Sequence, residues 1–161
     1  MPHRVVLAHC STVRAIEGTL VTRADILAFM RRYSLAVEAS VSPAGGPQAA
    51  VIGFIVTDDF EVVFDTVETT RKAVNLRRNA SCALVIGGMS DGEERTVQLE
   101  GITDEPAGAD LERLKQLYFV RFPDGRDRQR WPGLTYIRVR TRWLRFSDFS
   151  QTPPAITELR F

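Results

Sequence analysis

Apolar residues along this chain follow two different spacings, and the change from one to the other marks the predicted elements. From Thr22 the segment TRADILAFMRRYS places apolar side chains at helical spacing, and Thr22 with Asp25 resembles a capping box. Segments 35–41 and 49–57 are short apolar runs on either side of the Pro- and Gly-rich turn 42–47. The pattern therefore predicts a helix followed by a β-hairpin.

The rest of the chain alternates between the same two spacings. Two more helices are predicted, one opening at Thr69-Thr70 and one capped by Asp104-Glu105-Pro106 and running to Tyr118. The last apolar segment is rich in arginine, and its alternation leaves Trp143 on the apolar face or behind a bulge. Further strands are predicted at 61–66, 81–88, 94–104 and 134–146.

Six strands joined mostly by hairpin-length turns favour a mainly β protein with appended helices, of the α+β class. The expected architecture is a six-stranded antiparallel β-barrel rather than a doubly wound parallel sheet. No G-x-G-x-x-G motif follows a strand, so nothing supports a Rossmann cofactor site. At 161 residues we expect a single domain, with 1–20 as an N-terminal arm and 150–161 as a C-terminal surface extension.

Composition excludes several classes of function. Hydrophobic residues make up 44% and charged residues 25%, which is ordinary for a globular protein, and the net charge is only +1. A protein with so small a net charge has no strong electrostatic attraction to nucleic acid or to anionic membranes. No apolar run is long enough to cross a bilayer, and the start Met1-Pro2-His3-Arg4 lacks a secretory apolar region. We therefore expect a cytoplasmic protein with neither a membrane nor a nucleic acid as partner.

The positions of cysteine and histidine argue against a metal site and against a nucleophilic triad. Cys10 and Cys82 form no C-x-x-C motif, and Cys82 lies in an apolar run typical of a buried thiol. His3 and His9 have no carboxylate or second histidine at ligand spacing. We expect no metal, and the sequence identifies no catalytic residue.

The strongest chemical signal lies in segment 61–79, EVVFDTVETTRKAVNLRRN. A strand ends in Asp65-Thr66, and the next helix opens at Thr69-Thr70 with Arg71 and Lys72 in its first turn. Unpaired N–H groups and the positive end of the helix dipole favour an anion there, and the threonine and basic side chains add donors. A solvated basic helix is the alternative, although cations in a first turn oppose the dipole. The segment therefore predicts a phosphate site.

The order of these motifs resembles the pyridoxamine 5'-phosphate oxidase-like family, whose members are flavin-binding split barrels. The resemblance covers about residues 22–149. It implies a homodimer with two flavin mononucleotide (FMN) sites at the subunit interface and a small-molecule substrate. The motifs that carry it are Phe64-Asp65-Thr66, Thr70-Arg71-Lys72, Asn75-Leu76-Arg77, Leu99-Glu100-Gly101, Trp131-Pro132-Gly133 and segment 142–149.

The resemblance also implies a role for particular residues. The segment Thr70-Arg71-Lys72 would hold the flavin phosphate, and Phe64-Asp65-Thr66 would line the isoalloxazine ring, with Thr66 contacting the ring or the ribityl chain. Trp143 could shape the substrate side of the flavin, although packing in the core or in a dimer interface is the alternative. The cofactor-binding residues implied in this way are Phe64, Asp65, Thr66, Thr70, Arg71, Lys72, Thr96, Gln98 and Trp143.

Three departures from the family pattern bear on the substrate. Segment 49–52 lacks the arginine that helps to hold the flavin phosphate in pyridoxamine phosphate oxidases. Thr96 stands where those enzymes have a flavin-contacting glutamine, with Gln98 two positions further along the same strand face. Segment 145–147, Arg-Phe-Ser, lacks the histidine of their R-x-H substrate motif. These departures argue against pyridoxamine phosphate as the substrate.

The function expected from the resemblance is an FMN-dependent oxidoreductase that transfers a hydride through the flavin N5 to a substrate not assigned. Two alternatives stay open. One is a deazaflavin-dependent reductase on the same fold, and the other is a non-catalytic module that binds flavin or haem. A haem site would need an axial ligand, for which only His3 and His9 offer imidazoles.

Overall fold

The computed structural model describes residues 14–16 and 21–161, so the expectations for His3, His9 and Cys10 lie outside the described residues. Within that part of the chain there are nine strands and four helices. The strands are β1 (Arg14–Ile16), β2 (Leu35–Val41), β3 (Pro47–Gly53), β4 (Ile55–Val56), β5 (Val62–Val67), β6 (Ser81–Gly87), β7 (Arg95–Asp104), β8 (Leu134–Asp148) and β9 (Ala155–Arg160). The helices are α1 (Arg23–Arg31), α2 (Arg71–Arg78), α3 (Gly108–Arg121) and α4 (Gly125–Arg128).

One curled antiparallel sheet contains all of these strands. Its main path runs β1-β9-β8-β7-β6-β2-β3, while β4 pairs with β5 and β5 pairs with β8. The long strand β8 shares one edge between two partners, because 134–139 pairs with β5 and 143–148 pairs with β9. The sheet curls so that β3 comes back beside β5. This confirms a mainly antiparallel β protein with helices, and it is consistent with a split barrel. The strand count of six was wrong.

Two of the additional strands lie where the strand pairing differs from the pattern of apolar residues: at Phe54 and in the C-terminal segment. The predicted strand 49–57 is divided at Phe54, whose N–H donates to the carbonyl oxygen of Ser34 at 3.0 Å. The predicted surface extension is wrong for 155–160, because this segment pairs with β8 and buries Ala155 and Leu159.

The predicted N-terminal caps are present at two helices and absent at a third. The capping box of Thr22 and Asp25 is present at α1, and Thr70 is the N-cap of α2. By contrast, α3 begins at Gly108 with no side-chain cap, because the carboxylate of Asp104 is bound to Arg138 instead. No helix in the described part of the chain is long and apolar enough to cross a bilayer.

The predicted irregularity in the last strand is confirmed as a β-bulge opposite Glu100 and Gly101. Glu100 pairs with Trp143 and Gly101 pairs with Thr141, which leaves Arg142 as the extra residue. A Cβ at Gly101 would lie 2.5 Å from the carbonyl oxygen of Arg140. Glycine is therefore required for the close approach of the two strands at the bulge.

Strand β5 divides the core into two clusters, and this division positions the candidate site. Val62 and Phe64 face the main core inside the curled sheet. Val63 faces a second cluster on the other side, where Tyr118 of α3 packs against Tyr136. Since side chains alternate along a strand, Asp65 and Thr66 must also face opposite sides.

Candidate functional site

A cleft of about 430 Å³ lies where the loop into α2 meets the edge strand β3, and we call it the α2 cleft. The first turn of the helix forms one wall, and β2 and β3 form the other. The residues that line it are Glu38, Ser40, Gln48, Ala49, Ala50, Thr69, Thr70, Arg71 and Lys72.

The start of α2 offers several hydrogen-bond donors to this cleft. The Thr70 hydroxyl oxygen accepts from the Ala73 N–H at 3.4 Å and lies 3.0 Å from the Thr66 hydroxyl oxygen. The N–H groups of Arg71 and Lys72 are in the first turn, where no carbonyl of the helix can accept from them. No acidic side chain occupies that turn. This arrangement of free amides, hydroxyls and two cations suits an anion.

A buried amide network forms the floor of the cleft. Asn75, only 2% exposed, donates one side-chain N–H to the Ser40 hydroxyl oxygen at 3.2 Å and the other to the Gln48 side-chain oxygen at 2.9 Å. Because the Gln48 oxygen accepts from Asn75, the amide nitrogen of Gln48 is left as a donor for the cleft. Gln48 directly precedes segment 49–52, which lacks the family arginine, so a neutral donor lies beside the position of the missing cation.

Glu38 places a buried carboxyl group against the same cleft. The side chain is 1% exposed, lies on β2 opposite Ala50 and Leu84, and neither carboxyl oxygen has a hydrogen-bond partner. Burial raises the pKa of Glu38, and the Ser40 hydroxyl and the charge of Lys72 oppose the rise only in part. Burial, with a smaller contribution from the nearby Glu38, likewise raises the pKa of the Cys82 thiol.

The predicted ring-lining residues divide between the two sides of β5. Phe64 is fully buried in the main core. Asp65 points to the α3 side, where its carboxylate accepts from the Tyr118 hydroxyl at 2.8 Å and from the Arg128 guanidinium at 2.9 Å. Burial and the Asp65 charge raise the pKa of Tyr118, which keeps the phenol protonated as a donor. Of the three, Thr66 alone directs its side chain toward the start of α2. Contact of Phe64 and Asp65 with the isoalloxazine ring through their backbone atoms stays a prediction.

Thr96, Gln98 and Trp143 do not line the α2 cleft of the same chain. Thr96 and Gln98 lie on β7, and Trp143 lies on β8 opposite Glu100. They belong to the outer face of the sheet, because the alternate residues Val97 and Leu99 are buried in the core.

That outer face carries exposed apolar side chains, and we call it the outer sheet face. Val51, Val37 and Val85 are paired across β3, β2 and β6, and Gln98 continues the row on β7. Val51 is 62% exposed. Other exposed apolar residues on β2 and β7 extend the surface: Leu35, Val41 and Ile102.

Sequence reasoning missed the polar residues that line the floor and inner wall of the cleft. Asn75 was noted only as part of a motif, and Glu38, Ser40 and Gln48 were not assigned to the site. One signal was present, since Glu38 is an acid at an inward position of the apolar strand LAVEASV. Among residues 14–16 and 21–161, no group of His, Cys, Asp or Glu side chains forms a metal site.

Comparison with protein families shows to which family this chain belongs. A family model described as pyridoxamine 5'-phosphate oxidase matches residues 22–148. The chain belongs to the pyridoxamine 5'-phosphate oxidase family. The start of α2, with Thr70, Arg71 and Lys72, falls inside the matched region, as does every residue that lines the cleft. Comparison with curated proteins gives no match to this chain.

Solved structures share the fold of this family member. A conserved hypothetical protein of Mycobacterium tuberculosis is 22% identical, with a TM-score of 0.67 and coverage of 80% of this chain and 86% of that protein. A heme binding protein of Mycobacterium smegmatis is 16% identical, with a TM-score of 0.67 and coverage of 80% and 55%. The heme storage protein of Vibrio cholerae is 13% identical, with a TM-score of 0.64 and coverage of 74% and 89%.

These likenesses establish the fold alone, because sequence identity is low. The chain spans about half the length of the Mycobacterium smegmatis protein and of a protein of unknown function from Agrobacterium tumefaciens.

Proposed function

We propose that this protein binds FMN with its phosphate in the α2 cleft and uses the flavin as an oxidoreductase cofactor. The observation that carries the proposal is the convergence of free first-turn amides, threonine hydroxyls and two cations on one cleft. Thr70, Arg71 and Lys72 supply this set at the segment that the family resemblance assigns to the flavin phosphate. A dianionic ester is the ligand that such a set stabilises best.

The residues of the cleft would bind and orient the cofactor. Arg71 and Lys72 would neutralise the phosphate, and Thr66 and Thr70 would add hydroxyl contacts. Gln48 would donate its amide where other family members use an arginine. A bound flavin would supply hydride transfer at N5, and this chain would provide position and electrostatics.

We further propose that two copies of the chain associate through the outer sheet face as paired split barrels. Contiguous exposed apolar side chains mark interaction surfaces, and the exposed Val51 and Val85 form such a row with the half-buried Val37 between them. Gln98 lies at the end of this row, and Thr96 and Trp143 lie on the same face. Thr96, Gln98 and Trp143 do not line the α2 cleft of their own chain. In a homodimer they could instead contact the cofactor bound by the other copy.

Titration of the purified protein with FMN, followed by quenching of flavin fluorescence, tests the phosphate assignment. The double variant Arg71→Ala/Lys72→Ala removes two charge-assisted contacts, and we expect its affinity to fall about 100-fold or more. The variant Arg78→Ala/Arg121→Ala removes the same charge from exposed positions outside the cleft and should bind as the wild type does. Equal FMN affinity in all three proteins would refute the assignment.

Two other cofactors fit the same fold and are separated by spectroscopy. A deazaflavin coenzyme also carries phosphate, and its absorption differs from that of FMN. Haem is favoured by the likeness to heme binding and heme storage proteins. A shift of the Soret band of free haem on addition of the protein, with no quenching of flavin fluorescence, would favour haem over FMN.

A further inference from the structure

Of the described buried side-chain atoms without a hydrogen-bond partner, the two carboxyl oxygens of Glu38 belong to the α2 cleft. Buried polar groups in proteins are almost always hydrogen-bonded, and an unpaired one requires an explanation. Glu38 is 1% exposed, so bulk water does not solvate it. A group of this kind at the wall of a binding cleft points to a hydrogen bond that the ligand completes.

No neighbouring side chain makes a hydrogen bond to the carboxyl oxygens of Glu38. Both side-chain N–H groups of Asn75 are used on Ser40 and Gln48. Lys72 lies near enough for its charge to favour the carboxylate, but it makes no hydrogen bond to it. The Ser40 hydroxyl opposes the rise in the Glu38 pKa, but neither carboxyl oxygen has a hydrogen bond from it, so a ligand in the cleft can supply the donor.

The charges around the cleft define the chemical nature of that donor. A second anionic group on the ligand would be repelled by Glu38, and an ammonium group would be repelled by Arg71 and Lys72. A hydroxyl is neutral, donates to a carboxylate and can lie on the carbon atoms next to a phosphate ester.

We propose that Glu38 is a specificity residue that accepts a hydrogen bond from a ligand hydroxyl held beside the phosphate. The α2 cleft then takes phosphate esters of polyols or sugars in preference to phosphate esters without neighbouring hydroxyls. This inference rests on the phosphate site proposed above. The hydroxylated ribityl chain of FMN meets the requirement.

The test compares FMN with a flavin whose ribityl chain is replaced by an unhydroxylated phosphopentyl chain. Wild-type protein should bind FMN about 10- to 100-fold more tightly than this analogue, the range expected of a hydrogen bond to a charged group. Glu38→Met removes the acceptor and should bind both flavins with nearly equal affinity. Glu38→Gln keeps an uncharged acceptor and should show intermediate discrimination.

Glu112→Met is the matched control, because it makes the same substitution at an exposed position of α3 outside the cleft. It should leave the ratio of the two affinities unchanged. Inorganic phosphate provides a second readout: Glu38→Met removes a like charge and should bind phosphate at least as tightly as the wild type. A structural role for Glu38 would instead weaken the binding of phosphate and FMN together.

The possible failures are distinguishable. Wild-type protein that binds both flavins equally, or Glu38→Met with unchanged discrimination, would overturn the role of Glu38 and leave the phosphate site standing. Parallel loss of phosphate and FMN binding in Glu38→Met would overturn it as well. Wild-type protein that binds neither flavin would remove the phosphate site and the inference together.

Discussion

The hydroxyl oxygens of Thr66 and Thr70 lie 3.0 Å apart and join the end of β5 to the start of α2. Thr70 also accepts from the Ala73 N–H, so one hydroxyl links the strand, the loop and the first turn of the helix. Thr66 is 7% exposed and is held by the strand. These contacts connect the first turn of α2 to β5.

Thr66→Val keeps the shape of the side chain and removes its hydroxyl, so the link to Thr70 is lost. We expect FMN affinity to fall about fivefold, as for the loss of one hydrogen bond of about 1 kcal/mol. Fluorescence titration measures the change. Thr103→Val removes a hydroxyl that donates to the Ala80 carbonyl outside the cleft, and it should lower stability without changing affinity. Identical effects of the two variants on affinity would contradict the role of Thr66.

Glu38 should make the stability of the protein depend on pH. Because burial raises its pKa above the ordinary value of 4.5, the folded state disfavours the charged form. The folded protein incurs no penalty below pH 4.5, and the penalty grows as pH rises through the folded pKa. Glu38→Gln should therefore be more stable than the wild type at pH 8, and the advantage should vanish near pH 4. Urea unfolding at both pH values measures it, and an equal difference at pH 4 and pH 8 would contradict this expectation.

Asp65 should contribute to stability rather than to cofactor chemistry through its side chain. It accepts hydrogen bonds from Tyr118 and from Arg128, which is largely buried. Asp65→Ala leaves the Tyr118 hydroxyl without a partner and Arg128 with Asp124 alone, and we expect a loss of about 2 kcal/mol. Tyr118→Phe removes a single hydrogen bond and should cost about 1 kcal/mol. Denaturant unfolding separates the two variants, and equal losses would show that Asp124 alone is enough to pair with Arg128.

The ion cluster around Arg138 should protect the protein against acid. Hydrogen bonds from Arg138 lower the pKa of Asp104, and those from Arg113 and Arg138 lower the pKa of Asp110. These carboxylates stabilise the fold above their ordinary pKa of 3.8, and the stabilisation is lost as pH falls through their lower folded values.

Arg138→Met should therefore be less stable than the wild type at pH 7 and should lose less stability between pH 5 and pH 3. Thermal unfolding across this range measures both effects. Arg113→Met removes an exposed partner of Asp110 and should have little effect, because exposed ion pairs contribute little. A wild-type and an Arg138→Met protein with parallel pH profiles would exclude the cluster as the cause.

The outer sheet face should set the oligomeric state. Light scattering should give the wild type a mass of about twice 18.1 kDa. Val51→Asp/Val85→Asp places two charges in the apolar row and should yield a monomer. Val120→Asp adds a charge at a position that is 80% exposed on α3, away from this face, and should stay dimeric. A monomeric wild type would remove the proposed composite site.

Much of the candidate site was predictable because its determinants are local. The capping of α1 by Thr22 and of α2 by Thr70 depends on residues three positions apart, and the basic first turn follows directly. The polar floor was not predictable, because Glu38, Gln48 and Asn75 come together only through the pairing of β2 with β3 and the packing of α2 on β2.

The sequence by itself determined helices α1 to α3, the capped start of α2, most strands of the sheet and the resemblance to the family, since each depends on neighbouring residues or on the order of short motifs. Only the tertiary structure decided that segment 155–160 forms a strand of the sheet and that Glu38 lies in the wall of the α2 cleft. Strand pairing and curling join residues that are far apart along the chain. An alternating pattern indicates which side chains point into the core, but it does not indicate which residues of other strands or helices they contact.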